Sequence, residues 1–216
     1  MSVVLEAQVP GVMERAVAVL RSGGVVACPT ETVYGLAVNP FEEAALDRLY
    51  RVKGRPDTMP VLLVVADRDM VTQVAESVSE KARWCMEIFW PGPLSLLLPA
   101  RPELPRRLVG PGGKVCVRCP SHHAVRALSR AWGGPVTSTS ANKAGEAPAR
   151  TAREAALAGV DLVLDGACGI TPVPSTIFDP ESGTVVREGP ITEAMLYVVC
   201  HGNGLHYGGI ATSAGF

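Results

Sequence analysis

The chain has 216 residues, of which 47% are hydrophobic and 19% are charged, and its formal net charge is −1. Such a composition is typical of a globular protein with enough apolar residues for a core, and it excludes nucleic-acid binding driven by overall charge. No apolar run approaches the roughly 20 residues that a membrane span needs, and the N-terminus lacks the basic start of a signal peptide. We therefore expect a cytoplasmic protein without membrane contact.

Helical and strand patterns alternate along most of the chain. The apolar spacing predicts helices over 11–21, 41–54, 79–90, 121–134, 151–159 and 191–199, with Ser121 and Thr151 as N-caps. Short apolar runs predict strands over 25–28, 59–66, 94–100, 114–120, 135–140, 161–166, 175–179 and 184–188. This order predicts one α/β domain over 1–199, with a twisted mixed sheet and flanking helices. The glycine-rich residues 200–216 are expected to form a flexible tail.

The six cysteines include one C-x-x-C pair, Cys116 and Cys119. The pair lies in a predicted strand, where an offset of three places the two side chains on opposite faces. No second pair has the spacing of a zinc site. We expect reduced cysteines that pack as small hydrophobic residues.

Basic residues are concentrated in one stretch. Between Arg101 and Arg130 there are seven lysines or arginines and one acid, Glu103. Two interpretations stay open: a basic surface or anion pocket, and ordinary solvated arginines.

Polar and cationic residues occur repeatedly where predicted strands or helices end. They are Thr30, Thr32, Tyr34, Lys53, Arg55, Arg118, Ser138, Ser140, Asn142, Ser175, Thr176 and Arg187. Ligands of α/β proteins commonly bind at such ends, and cations with hydroxyls and amides suit a phosphate or carboxylate.

Each of these candidates also has an ordinary explanation. Lys53 and Arg55 could interact with a helix dipole, the serines and Asn142 could shape a turn, and Arg118 could face solvent. The chain contains no P-loop, no G-x-G-x-x-G, no H-E-x-x-H and no G-x-S-x-G. The residues by themselves thus indicate an α/β protein with an anion site.

Seven segments in order resemble the YrdC-like family of threonylcarbamoyl-AMP synthases. They are "PTETVYGL", "KGRP", "FWPGPLSLLLP", "VCVRCPSH", "SANKAGEAPA", "PSTIFD" and "VVREG", and together they cover about Ser22 to Ile191. The resemblance implies a twisted α/β sheet around a deep, electropositive cavity. It also implies the short, single-domain form of the family, because the tail is too short for the extra C-terminal domain of longer members.

The resemblance implies a reaction and its partners. L-threonine and bicarbonate or CO2 give a carbamate, which attacks the α-phosphate of ATP and yields threonylcarbamoyl-AMP and pyrophosphate. A partner enzyme then transfers the threonylcarbamoyl group to an adenosine in tRNA. Mg²⁺ is expected with ATP, with no tightly bound cofactor, and Glu31 is a candidate ligand for it by position alone.

Residue roles follow from the same resemblance. Lys53, Arg55, Ser140 and Asn142 would hold the triphosphate and serve as the catalytic group, and Lys114 and Arg187 would join the nucleotide site. Thr30, Arg118, Ser138 and Ser175 would contact threonine, with Arg118 binding its carboxylate. The chain departs from longer members at three positions: Met59 replaces an asparagine, Val64 a histidine, and Lys114 a small hydroxyl residue.

Two other functions stay open at the level of sequence. A basic concave face could bind tRNA or double-stranded RNA without catalysis, and such binding should fall steeply with salt. A related domain uses carbamoyl phosphate to form a carbamoyl adenylate, but that domain usually occurs inside much larger proteins.

Overall fold

The computed structural model describes residues 2–54, 60–169 and 173–202, and these form two mixed sheets with helices packed against them. The α/β class is confirmed, although the strands divide between two sheets instead of forming one. Arg55 and Met59 lie outside the described residues, as do residues 203–216 of the predicted tail. Among the described helices, none is long and apolar enough to cross a membrane.

The predicted helices are all present. Their bounds are α1 Val12–Arg21, α2 Glu43–Lys53, α3 Glu80–Phe89, α4 His123–Trp132, α5 Ala152–Ala155 and α6 Glu193–His201. Side-chain caps account for several of the starts. The Ser79 hydroxyl accepts a hydrogen bond from the Ala82 amide, and Thr151 forms a capping box with Glu154.

Three details of the helices differ from the sequence-based expectation. Helix α5 ends at Ala155 although the pattern predicted a helix over 151–159, because the backbone leaves the helical region at Ala156, where ψ is 55°. The N-cap of α4 is His122, whose ring Nδ1 accepts from the Ala124 amide, and not Ser121. Ser121 fails as the cap because the helix begins one residue later than predicted. Helix α6 continues to His201, so Cys200 and His201, which were assigned to the tail, belong to a helix that packs on α3.

The first sheet has five strands in the order β1-β10-β2-β3-β9. The strands are β1 Val3–Glu6, β2 Val26–Cys28, β3 Gly35–Ala37, β9 Thr139–Ser140 and β10 Leu162–Asp165. The pairs β1–β10 and β10–β2 are parallel, and the pairs β2–β3 and β3–β9 are antiparallel. Neither β1 nor β3 was predicted, because the first is mostly exposed and the second follows directly on a polar loop.

The second sheet follows the order β12-β11-β5-β7-β4-β8, with β6 paired on β7. Its strands are β4 Leu63–Val64, β5 Leu94–Pro99, β6 Val109–Gly110, β7 Lys114–Arg118, β8 Val136–Thr137, β11 Thr176–Asp179 and β12 Thr184–Arg187. The predicted strand over 135–140 is divided here. Its first half pairs with β4 and its second half with β3, so the chain passes from one sheet to the other at Ser138.

Two apolar clusters hold these layers together. The smaller one packs α1 and α4 against the first sheet, and it includes Val64, which is 1% exposed. The larger one contains residues of α2 and α3 and of both sheets. Because Val64 points into the smaller cluster, the position at which longer family members carry a histidine does not line the cavity described next.

Candidate active site

A cavity of about 400 Å³ is lined by residues of both sheets. Seven of the ten predicted site residues line it: Thr30, Lys114, Arg118, Ser138, Ser140, Ser175 and Arg187. Lys53 and Asn142 lie directly beside Ser140, and Arg55 lies outside the described residues. The charged lining residues of the described chain are two arginines and a lysine, and this charge favours an anionic ligand.

Lys53 ends α2 and forms a hydrogen-bonded cluster with Ser140 and Asn142. Its ammonium donates to the Ser140 carbonyl at 2.6 Å and to Asn142 Oδ1 at 2.8 Å, with Ser140 Oγ at 3.2 Å. Lys53 is only 4% exposed, and Gly54 ends the helix in the left-handed region at φ 59°. Ser140 and the loop after β9 therefore hold the Lys53 ammonium. An interaction of Lys53 with the dipole of its own helix would not explain these contacts.

The loop that follows β2 is closed by its own hydroxyls. Thr30 Oγ1 donates to the Val33 carbonyl at 2.7 Å and accepts from the amides of Thr32 and Val33. Tyr34 is fully buried, and its hydroxyl donates to the Gly166 carbonyl at 2.7 Å, beyond the end of β10. Burial raises the pKa of Tyr34 to about 12, so its hydroxyl stays protonated. These bonds fix the conformation of the loop, which forms one wall of the cavity.

Arg118, at the end of β7, is 4% exposed and does not face solvent. Its Nε donates to the Gly92 carbonyl at 3.0 Å, and its Nη2 lies 2.6 Å from Glu31 Oε1. The Ser121 amide donates to the same carboxylate oxygen at 2.9 Å. Glu31 is therefore a partly buried partner of Arg118.

The charge of Glu31 couples protein stability to pH. Burial opposes its ionisation, but Arg118 and the Ser121 amide outweigh burial and lower the pKa of the carboxyl below its ordinary 4.5. A group with a lowered folded-state pKa stabilises the fold above its ordinary pKa, and that stabilisation is lost as pH falls through the folded value.

We therefore expect Glu31→Gln to lower the free energy of unfolding at pH 7, and we expect the deficit to shrink as the pH falls below about 4.5. Urea unfolding of wild type and variant at pH 7, 5, 4 and 3.5 measures this difference. A deficit that is constant across this range would contradict the role assigned to the carboxylate charge.

Arg187, on β12, contacts Ser175, which in turn contacts Ser95, and all three residues line the cavity. The guanidinium donates to the Ser175 carbonyl at 2.8 and 3.0 Å, and Ser175 Oγ lies 2.8 Å from Ser95 Oγ. Burial of the guanidinium is the main cause that lowers the pKa of Arg187, and the like charge of Arg118 adds a smaller lowering. Two neighbouring guanidiniums at one cavity suit a ligand with negative charge.

Cys116 and Ser95 were not predicted as lining residues. The two cysteines of the C-x-x-C pair do diverge: Cys116 lines the cavity, whereas Cys119 is buried and contacts the Ala66 carbonyl. Burial raises the pKa of Cys116 to about 12 despite the nearby Arg187 and Arg118, so it stays a thiol. The sequence contained one signal for Ser95, because it is the single polar residue in the leucine run 94–98.

Lys114 lines the cavity but is engaged by acids. Its ammonium lies 2.7 and 2.8 Å from the two Asp179 oxygens and 2.8 Å from Glu181 Oε2. Burial opposes the charge, but these partners outweigh it and raise the pKa of Lys114. A phosphate would have to compete with two carboxylates for this lysine.

The basic stretch between Arg101 and Arg130 does not form one surface. Arg101 pairs with Glu103, Arg107 with Asp47, and Arg130 with Asp67. Only Lys114 and Arg118 of this stretch line the cavity. The stretch therefore combines two cations that line the cavity with ordinary paired arginines.

Gly35 lies close to Ser138 and leaves room for its hydroxyl. A Cβ at Gly35 would overlap Ser138 Oγ, while the rest of Ser138 lies at 3.6 Å or beyond. The serine can relieve this overlap by rotating its hydroxyl away, so Gly35→Ala should change the stability by less than about 1 kcal/mol.

The family resemblance implies that Ser138 contacts L-threonine, and on that expectation the same rotation should weaken L-threonine binding by about tenfold, because a hydroxyl contact is lost. Calorimetric titration with L-threonine tests this, with Ser138→Ala as the matched variant. Equal losses in the two single variants and in their combination are expected. Unchanged affinity in Gly35→Ala would contradict the contact assigned to Ser138.

The described residues do not form a protein-built metal site. They contain no group of three or more histidine, cysteine, aspartate or glutamate side chains arranged to hold a metal ion. Glu31, the candidate by position, is committed to Arg118 and the Ser121 amide.

Fold and cavity together define a class: an α/β protein with a cationic, hydroxyl-lined cavity bordered by two mixed sheets. Within this class, residues 18–189 match the Sua5/YciO/YrdC family model, which is described as Telomere recombination. The chain belongs to this family.

Curated relatives cover nearly the same length. A threonylcarbamoyl-AMP synthase of Xanthomonas euvesicatoria is 40% identical over 181 residues, which is 82% of this chain and 97% of the relative. A protein with the same name from Chromobacterium violaceum is 38% identical over 83% of this chain and 95% of its own length.

Solved structures have the same fold. P. abyssi Sua5 in complex with L-threonine superposes with a TM-score of 0.85 at 29% identity, over 93% of this chain and 61% of that protein. E. coli YciO superposes with a TM-score of 0.77 at 28% identity, over 89% of this chain and 99% of that protein. This chain thus spans about three fifths of the P. abyssi protein.

Proposed function

We propose that this protein is a threonylcarbamoyl-AMP synthase, which converts L-threonine, bicarbonate or CO2, and ATP into threonylcarbamoyl-AMP and pyrophosphate. One observation carries the proposal: the seven predicted cavity-lining residues converge in a chain that aligns with curated synthases over 97% of their length. The product would serve a transferase that modifies adenosine in tRNA, in the cytoplasm.

The proposed reaction needs positioning and charge neutralisation more than acid–base groups. An oxygen of the threonine carbamate bonds to the α-phosphorus of ATP while the bond to the bridging oxygen breaks, and pyrophosphate leaves with that oxygen. The described lining residues include no histidine, aspartate or glutamate. Charge and hydrogen-bond donors that are fixed in place lower such a barrier by stabilising the charge that develops.

Residue roles are part of the proposal. Arg118 binds the threonine carboxylate, with Ser138, Ser175 and the Thr30 loop around the rest of the amino acid. Lys53, held by Ser140 and Asn142, neutralises phosphate charge together with Arg55. Arg187 contacts the nucleotide, and Lys114 does so only if it leaves Asp179.

Pyrophosphate release tests the proposal directly. ATP is supplied with L-threonine and bicarbonate, each present or omitted, in a closed vessel free of CO2 where bicarbonate is left out. Release that requires both co-substrates supports the synthase. Release that depends instead on added carbamoyl phosphate would replace it with the carbamoyl-adenylate reaction, and no release in any arm would reject both.

A further inference from the structure

Glu31 has no role in the proposed reaction, yet it is paired with the residue assigned to the threonine carboxylate. Glu31 and Arg118 form a largely buried ion pair, in which the Glu31 side chain is 18% exposed and the Arg118 side chain is 5% exposed. The pair joins the loop after β2 to the end of β7. It is thus placed to determine how Arg118 faces the cavity.

The contacts of Arg118 use one edge of its guanidinium. Nε bonds to the Gly92 carbonyl and Nη2 lies against Glu31, and these two nitrogens share an edge of the planar group. Among the described residues Nη1 makes no hydrogen bond, and Nη2, which is buried against Glu31, has no aligned one. The edge formed by Nη1 and the second N–H of Nη2 is therefore not used within the protein, and such an edge matches the two oxygens of a carboxylate.

Glu31 is itself held in place. Its Oε1 accepts from the Ser121 amide at the start of α4. Behind the loop, a Cβ at Gly169 would overlap the Glu31 carbonyl oxygen, so the segment after β10 packs directly on the Glu31 backbone. Because Glu31 is held through both its carboxylate and its backbone, it can hold the guanidinium of Arg118 in place.

We propose that Glu31 is a positioning residue, which holds Arg118 with its free guanidinium edge toward the cavity so that it binds the carboxylate of the substrate amino acid. This inference rests on the proposed function. It differs from a purely neutralising role, in which removal of the negative charge would strengthen the attraction of Arg118 for an incoming carboxylate.

Glu31→Gln distinguishes these roles. The amide keeps the size of the side chain and an acceptor for Ser121, but it loses the charge. We expect L-threonine binding to weaken about tenfold, because a contact to a charged partner is lost. The Michaelis constant for threonine should rise by the same factor, while ATP affinity and kcat stay within about twofold.

A double-mutant cycle with Arg118→Lys separates positioning from general damage. In the lysine background the guanidinium edge is gone, so adding Glu31→Gln should change threonine affinity by less than about twofold. Additive losses would overturn the proposal. Glu103→Gln, on a surface glutamate paired with Arg101, is the matched control and should behave as wild type.

The outcomes also separate this inference from the function on which it rests. If wild type binds threonine and releases pyrophosphate but Glu31→Gln binds threonine equally well or more tightly, the positioning role is rejected and the synthase stands. If wild type neither binds threonine nor releases pyrophosphate, the synthase proposal fails and the positioning role fails with it.

Discussion

Replacing Lys53 with methionine is expected to lower kcat/KM for ATP by about 100-fold or more, the loss typical when a fixed charge partner of the transition state is removed. Lys53 donates to the Ser140 carbonyl and to Asn142 Oδ1 from a position that is 4% exposed. Methionine has nearly the same length but neither charge nor donor. The substitution therefore removes the proposed phosphate partner and leaves the loop after β9 without the hydrogen bonds from Lys53.

Initial rates of pyrophosphate release, with ATP varied at saturating threonine, measure this effect. The exposed Lys143→Met is the matched control and should keep wild-type rates. Circular dichroism and thermal unfolding show whether the Lys53 variant is folded. A folded variant with a wild-type kcat/KM would remove Lys53 from the phosphate site.

Replacing Arg118 with lysine is expected to weaken L-threonine binding by about 100-fold and to leave ATP binding within about threefold. Lysine offers one compact ammonium, which cannot contact the Gly92 carbonyl, Glu31 and a carboxylate edge together. Lysine keeps the positive charge, so the loss of threonine affinity would result from the changed geometry of the side chain. The unequal effect on the two substrates is expected because Arg118 lies at the end of β7, whereas the Lys53 cluster is formed by the end of α2, Ser140 and the loop after β9.

Calorimetric titrations with L-threonine and with a non-hydrolysable ATP analogue measure the two affinities separately. Arg126→Lys is the control, because Arg126 lies on α4, donates to the Ala66 carbonyl and does not line the cavity. Equal weakening of both ligands would indicate a general disturbance of the fold. Unchanged threonine affinity would place the carboxylate elsewhere.

Local patterns in the sequence determined the helices well. Helices α1 to α4 begin and end within one or two residues of the predicted bounds, because apolar spacing, caps and glycine stops are encoded in neighbouring residues. Strands were predicted less completely. Strand β1 is exposed along most of its length, and β3 is three residues long, so neither has the alternating pattern by which strands are found.

The candidate residues were found partly from chemistry and partly from the family resemblance. Polar side chains at strand ends were visible in the sequence, and the resemblance assigned them roles. Ser95 and Cys116 were missed, because a single polar or sulfur-containing residue inside an apolar run does not reveal which face it occupies. Their places in the cavity depend on strand register, which non-local pairing sets.

The sequence by itself determined the α/β class, the positions of the helices and the family, since these depend on local patterns and on motif order. Only the tertiary structure decided that the strands form two sheets joined at Ser138, that Lys114 is engaged by Asp179, and that Glu31 is the partner of Arg118. Glu31 and Arg118 are 87 residues apart, and Lys114 and Asp179 are 65 apart. No local pattern specifies such pairs, because they arise where packing brings distant segments together and buried charges require partners.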